Sequence, residues 1–188
     1  MAFFVGESMG TILPMETLGP RIVICGPSNA GKSTLARAIG RKLGVPVSYL
    51  DLLWHLPHTD WQPRPPEEFA RLHAEAVAGD SWVMEGNYFA SIGPRLERAT
   101  GIVLLGSRPW RGYLRYLRRT LLDRKDRAGQ LDGGIDRLNW RMTRYLLLEQ
   151  PKKAARNREI LKASGLPMVE AGEMAELKRL YEAWGLSR

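Results

Sequence analysis

Along the chain, short runs of consecutive apolar residues alternate with longer stretches whose apolar positions recur every three or four residues. RIVIC, residues 21–25, is the first such run and predicts a strand covered on both faces. Leu35, Ile39 and Leu43 follow at i, i+4 and i+8, predicting an amphipathic helix that Gly44 and Pro46 end. Further strands are expected over residues 46–50, ending at Asp51, then over SWVM, GIVLL and LPMVE. Between them, Pro65, Pro66, Glu67 and Glu68 open a helix that buries Phe69, Leu72, Ala76 and Val77, and another helix is expected near 89–99. A long helix starts at Pro109 with Trp110, Tyr113, Leu114, Leu117 and Leu121 on one stripe. After a glycine-rich break at 128–134 come a helix carrying Leu138, Met142, Tyr145 and Leu146, one across 152–163, and a last one holding Met174, Leu177, Leu180 and Trp184. The stretch DLLWHLPHTDWQPRPP has neither period and is expected to be an ordered loop. Strands alternating with helices of this length imply an α/β fold, an open parallel sheet with right-handed crossovers and helices on both faces. There is no internal repeat or low-complexity tract.

Composition narrows this picture. With 188 residues and 44% hydrophobic content, the chain suits one domain, expected over 21–188 behind a frayed extension at 1–20. No apolar run approaches the roughly 20 residues of a membrane span, and the leading segment has no basic region and carries Glu7 and Glu16, unlike a secretory signal. Cys25 is the single cysteine, so no internal disulfide can form and a cytoplasmic location is expected. The net charge of +8 calls for an anionic partner, whether nucleotide, phosphorylated substrate, nucleic acid or membrane surface, and excludes nothing among these by itself.

The sharpest signal is GPSNAGKST, residues 26–34, between the first strand and the first helix. It has the spacing G-x-x-x-x-G-K-[ST] of a phosphate-binding loop. Gly26 and Gly31 permit backbone angles and close approach that side chains would block, so the N–H groups of Pro27's successors Ser28, Asn29 and Ala30 can turn inward around a phosphate. The helix N-terminus adds partial positive charge there. Lys32 can reach the β- and γ-phosphates of a nucleoside triphosphate, Ser33 can ligate a bridging Mg²⁺, and Thr34 offers a hydroxyl to the α-phosphate. The loop predicts ATP and Mg²⁺ and leaves the reaction open.

Ligands of open α/β sheets lie beyond the carboxyl ends of the strands, so residues just after each strand are the next candidates. Glu85 follows SWVM and is expected near the metal or an acceptor hydroxyl; Asp51, after the second strand, is expected to hold an acceptor. A turn or helix cap would also explain either carboxylate. Arg108, Arg111, Arg115, Arg118 and Arg119 form an unbalanced cluster. A solvated face accounts for any single one, while phosphoryl transfer needs guanidinium groups on the transferred oxygens, a role for which Arg115 and Arg119 are the candidates. Trp54 and Trp61 can pack or stack on a ligand ring. His55 and His58 do not match a zinc spacing, because Pro57 interrupts them and no cysteine is close.

The phosphate loop, LDLLW after the second strand, WVMEGNY after the third and the Arg108, Pro109, Trp110 start of an arginine-rich helix together resemble the bacterial DNA topology modulation proteins, adenylate-kinase-like members of the P-loop kinase superfamily. The likeness runs from about Arg21 onward and is strongest through residue 120. It implies a five-stranded parallel sheet in the order 2-3-1-4-5, an acceptor-binding region over about 51–80, and arginine-rich helices with a lid over about 108–150, hinged near Gln130 to 134. It also places Trp54, Asn87 and Arg108 with Asp51 around the substrate. That family usually has Asp where this chain has Glu85. The expected activity is transfer of the γ-phosphoryl of Mg·ATP to a nucleotide or other small acceptor. ATP-dependent nucleic-acid binding, or a nucleotide switch without transfer, is the alternative.

Overall fold

The computed structural model describes residues 12–122, 128–131 and 140–187, without the side chains of 119, 121, 122 and 141. The sheet has five parallel strands: β1 Arg21–Cys25, β2 Val47–Tyr49, β3 Trp82–Glu85, β4 Gly101–Leu105 and β5 Met168–Ala171. Their order is β2-β3-β1-β4-β5. β1 is therefore central, and its register puts Ile24 beside Glu85 and Cys25 beside Leu104.

Alternation along β1 builds two cores. Ile22 and Ile24 join Leu35 and Ile39 of α1, Lys32–Leu43, and Leu177 and Leu180 of α8, Met174–Ala183. Val23 and Cys25 point the other way, towards Val77 of α3 (Pro66–Ala78), Ile92 of α4 (Ile92–Arg98) and Leu161 of α7 (Gln150–Ala163). Such strands, buried on both faces, require the continuous apolar runs that the chain supplies. α1 stops where Gly44 adopts φ +66 and returns its N–H to Gly40.

Four local expectations are corrected. Residues 12–20, placed in a frayed extension, are packed: Met15–Leu18 form a 3-10 turn, Leu18 is fully buried against Gly101, and Trp184 Nε1 donates to the Leu13 carbonyl over 2.9 Å. The apolar Met15 and Leu18 close one end of the sheet, and this tertiary burial has no periodic signature. Within the expected loop after β2, Leu50–Trp54 form a short helix, α2, because Leu50 anchors it in the interior. Glu85 is the last residue of β3 and not the first beyond it.

The fourth correction concerns α5, Pro109–Leu122. Trp110 and Leu114 of the expected buried stripe are 52% and 53% exposed, whereas Gly112 and Tyr116 face inward. The helix lies against the polar phosphate loop, so its inward side is chosen by fit at Gly112 beside the Ser28 carbonyl and not by hydropathy. After it, α6, Trp140–Arg144, runs through a π-helical turn, Tyr145–Glu149, into α7.

Candidate active site

The phosphate loop leaves β1 at Gly26, which has φ +141; a Cβ there would lie 2.4 Å from the Leu105 carbonyl oxygen, so glycine is required. Asn87 grips the same residue from both sides: its Nδ2 donates to the Gly26 carbonyl over 2.9 Å and its Oδ1 accepts from the Gly26 N–H over 3.0 Å. Asn29 and Gly31, at φ +62 and +96, turn the loop into the N-terminus of α1. Lys32 is the first residue of that helix and is 9% exposed. Its Nζ donates to the Pro27 carbonyl over 3.1 Å and lies 3.7 Å from Glu85 Oε1.

Glu85 is 4% exposed. Burial raises its pKa and the Asp51 carboxylate adds to the rise, against the opposing pull of Lys32 and of a hydrogen bond from Ser33. A carboxylate, an ammonium and a hydroxyl thus share the floor of the loop, as the register of β1, β2 and β3 demands, since Glu85 faces Ile24 on one side and Tyr49 on the other.

Asp51 lies exposed at the start of α2, and Tyr88 donates its hydroxyl to Asp51 Oδ1 over 2.7 Å. Burial, then the Asp51 charge, holds the Tyr88 phenol well above its ordinary pKa, so it remains a donor. Trp54 packs edge-on to Phe69 at 4.9 Å and near Tyr88 at 6.0 Å, in a cluster that Phe69 extends by stacking on His73. The packing reading of Trp54 is the one this geometry favours.

The loop after β3 is held by a residue that no motif announced. Arg95 of α4 is fully buried, and donates to the carbonyls of Gly86, Asn87 and Tyr88 at 2.9, 3.1 and 3.0 Å. In sequence it is one of two arginines on a short helix, and only its burial distinguishes it.

The arginines at and after the start of α5 separate into different tasks. Arg115 reaches the phosphate loop, donating from Nε to the Asn29 carbonyl over 2.6 Å and from Nη2 to Ser107 Oγ. Arg108, expected at the substrate, and Arg111 both lie on an exposed face, as a solvated face requires, and both bind Glu173, at 2.9 and 2.6 Å. Glu173 also caps α8, so the pair staples α5 to the end of the sheet. Arg118 is exposed, and the side chain of Arg119 lies outside the described residues. Of the expected lid, Gln130 and Leu131 are described and 132–134 are not. A Cβ on the neighbouring Gly129 would meet the Tyr49 ring at 2.9 Å and Ser33 Oγ at 3.4 Å, so this segment lies over the Ser33 hydroxyl.

The residues present fit Mg·ATP. The loop offers a helix N-terminus, a buried ammonium, and Ser33 with Glu85 as oxygen donors. Among the described residues no group of three His, Cys, Asp or Glu could cage a metal alone, including His55 and His58. Mg²⁺ normally takes one or two protein oxygens plus substrate phosphates, which agrees with that donor set. Cys25, its thiol pushed up to about 11 by burial, is a packing residue.

No known protein family and no curated protein matches the sequence. Among solved structures the chain is similar to shikimate kinase from Acinetobacter baumannii in complex with shikimate, at 17% identity over 90% of this chain and 96% of that one, with a TM-score of 0.52. It is also similar to shikimate kinase from Bacteroides thetaiotaomicron, at 19% over 89% and 99% with a TM-score of 0.49. A gluconokinase from Sinorhizobium meliloti 1021 aligns at 18% over 88% and 95%, with a TM-score of 0.47. The fold is that of the P-loop kinases, a five-stranded parallel sheet flanked by helices with the strand order expected. At such identity the likeness extends to the fold and no further.

Proposed function

We propose that the chain is a phosphotransferase that moves the γ-phosphoryl of Mg·ATP to a hydroxyl of a small acceptor. The observation that carries this reading is the pairing of Lys32 with Glu85 at 3.7 Å on the floor of a phosphate loop, with the Asp51 carboxylate across from them. Lys32 leaves the Pro27 carbonyl for the β- and γ-phosphates, and Arg115, already at the Asn29 carbonyl, adds charge to the transferred group. Ser33 and Glu85 would hold Mg²⁺, which supplies charge neutralisation at the phosphate oxygens. Asp51, oriented by Tyr88, receives the acceptor hydroxyl. In the transfer the hydroxyl oxygen bonds to the γ-phosphorus, the bond to the β,γ-bridging oxygen breaks with its electron pair leaving on ADP, and the hydroxyl proton passes to Asp51.

The motifs at 26–34, 50–54, 82–88 and 108–110 support a finer assignment within this fold, to the DNA topology modulation proteins. A direct nucleic-acid role gains no support from three of the arginines at and after the start of α5: Arg108 and Arg111 are bound to Glu173 and Arg115 to the loop, so these three do not form an open phosphate-tracking row. The test is ADP release with Mg·ATP against nucleosides, nucleoside monophosphates and hydroxylated acids. Acceptor-dependent release that Lys32→Ala abolishes is expected; release that survives the change refutes the mechanism.

A further inference from the structure

Between α6 and α7 the chain changes its hydrogen bonding. Tyr145–Glu149 form a π turn, and the Gln150 N–H closes it on the Tyr145 carbonyl. In an α-helix, residues five apart point about 140° away from each other, at about 100° per residue. The wider π turn brings them towards one side, and such turns are rare and recur at functional sites. Tyr145 and Gln150 use that alignment. Burial raises the Tyr145 phenol, and a hydrogen bond donated by the Gln150 side chain opposes the rise. Gln150 Nε2 also reaches Ser28 Oγ of the phosphate loop over 3.4 Å. Leu146, buried, anchors the turn in the interior.

The turn also meets the carboxylate given to the acceptor. The Asp51 charge adds to the rise at Tyr145, and Tyr145 adds to the rise at Tyr88, behind burial and Asp51 itself. Asp51, Tyr88 and Tyr145 thus lie within electrostatic reach of one another. The two phenols differ in one respect. Tyr88 commits its proton to Asp51 Oδ1, whereas the Tyr145 oxygen accepts from Gln150, and among the described residues its O–H has no acceptor. We infer that Tyr145 is a further residue of the transfer site, its free O–H donated to the acceptor beside Asp51, and that Gln150 is the positioning residue tying it to the phosphate loop at Ser28. The inference rests on the phosphotransferase reading for the word acceptor, and on the π turn for the bridge. It also narrows the substrate class. The reacting proton passes to Asp51, so the Tyr145 O–H serves a second oxygen next to the reacting hydroxyl, as a vicinal diol or a hydroxy acid provides. The bridge then fixes the spacing between that oxygen pair and the phosphoryl group held by the loop.

The decisive experiment measures ADP release with Mg·ATP for acceptors paired with analogues that lack one oxygen: ribonucleosides against their deoxynucleosides, and glycerate against lactate and against hydroxypropionate. Wild type, Tyr145→Phe and Gln150→Leu are compared, with melting temperatures checking that both variants fold. Wild type is expected to favour the oxygen-bearing member by about tenfold in kcat/KM, and Tyr145→Phe by under about twofold, because the reading group is gone. Gln150→Leu is expected to lower kcat about tenfold and to leave the KM for ATP unchanged, the split of a group that positions without binding the donor. No preference in wild type, an undiminished preference in Tyr145→Phe, or a Gln150→Leu effect confined to the KM for ATP overturns the assignment. A second readout needs no turnover. In protein labelled with the heavy carbon isotope at tyrosine Cζ, the Tyr145 resonance, identified by its loss in Tyr145→Phe, is expected to shift in Gln150→Leu; a resonance that stays in place overturns the bridge. Absence of acceptor-dependent release in wild type would refute phosphoryl transfer and the acceptor role with it, while the resonance still decides the bridge.

Discussion

Two loops leave adjacent strands at the carboxyl edge of the sheet, and they are held in opposite ways. The loop after β1 is shaped from within: Gly26 and Gly31 take backbone angles that side chains resist, and while the Gly26 and Ala30 N–H groups are bound to Asn87 Oδ1 and the Pro27 carbonyl, those of Ser28 and Asn29 make no hydrogen bond among the described residues. The loop after β3 is shaped from without, by a buried guanidinium that occupies the carbonyls of Gly86, Asn87 and Tyr88. Asn87 joins them by gripping Gly26. The contrast teaches that a ligand loop must keep its donors free, while the loop that supports it can be fully satisfied and therefore rigid.

The largest effect that sharpens this contrast is expected from Arg95→Met. The three carbonyls lose a buried charged donor, for about 3–5 kcal/mol of stability, given roughly 1–3 kcal/mol per unsatisfied group. Urea denaturation reads it, and a loss under about 1 kcal/mol would mean that the β3 loop is not held by this residue. Lys32→Ala comes next and acts on function: about 10²–10³-fold in kcat, the usual range for removing one preorganised donor to developing charge, with the far-UV dichroism unchanged. Were both variants to lose stability and activity alike, the division between the two loops would be gone.

Asn87→Ala should cost about 1–2 kcal/mol through its two hydrogen bonds to Gly26, together with weaker ATP binding, because the phosphate loop loses its outside brace. Unchanged ATP affinity would show that the loop needs no support from β3. Tyr88→Phe should raise the acceptor KM severalfold, through the freed Asp51 carboxylate, and leave the KM for ATP alone. The smallest effect at neutral pH concerns His73, whose pKa burial lowers to about 4, with Arg95 adding to the drop. Since the unfolded chain takes up this proton near pH 6.5 and the folded chain only near 4, stability should be complete above 6.5 and fall as pH drops between the two values. Denaturation midpoints across that window check it, and His73→Phe should flatten that part of the profile.

Much of this molecule is written locally. The apolar runs of β1, β3 and β4 and the helical spacing of Leu35 and Ile39 predict their elements because burial on two faces, or on one stripe, imposes a period of its own. The residues at 26–34 name their chemistry for the same reason: each geometrical need, at Gly26, Gly31 and Lys32, excludes nearly every other residue type. What tertiary structure decided are the choices among residues of equal type. Of several arginines, Arg95 is buried under the β3 loop, Arg115 meets the phosphate loop, and Arg108 and Arg111 meet Glu173. Trp110 and Leu114 face outward although their spacing predicts burial, because α5 lies on a polar loop. A side chain's period is a property of its own helix, whereas its partner and its desolvation depend on what other elements bring against it, and that is set only when the sheet assembles.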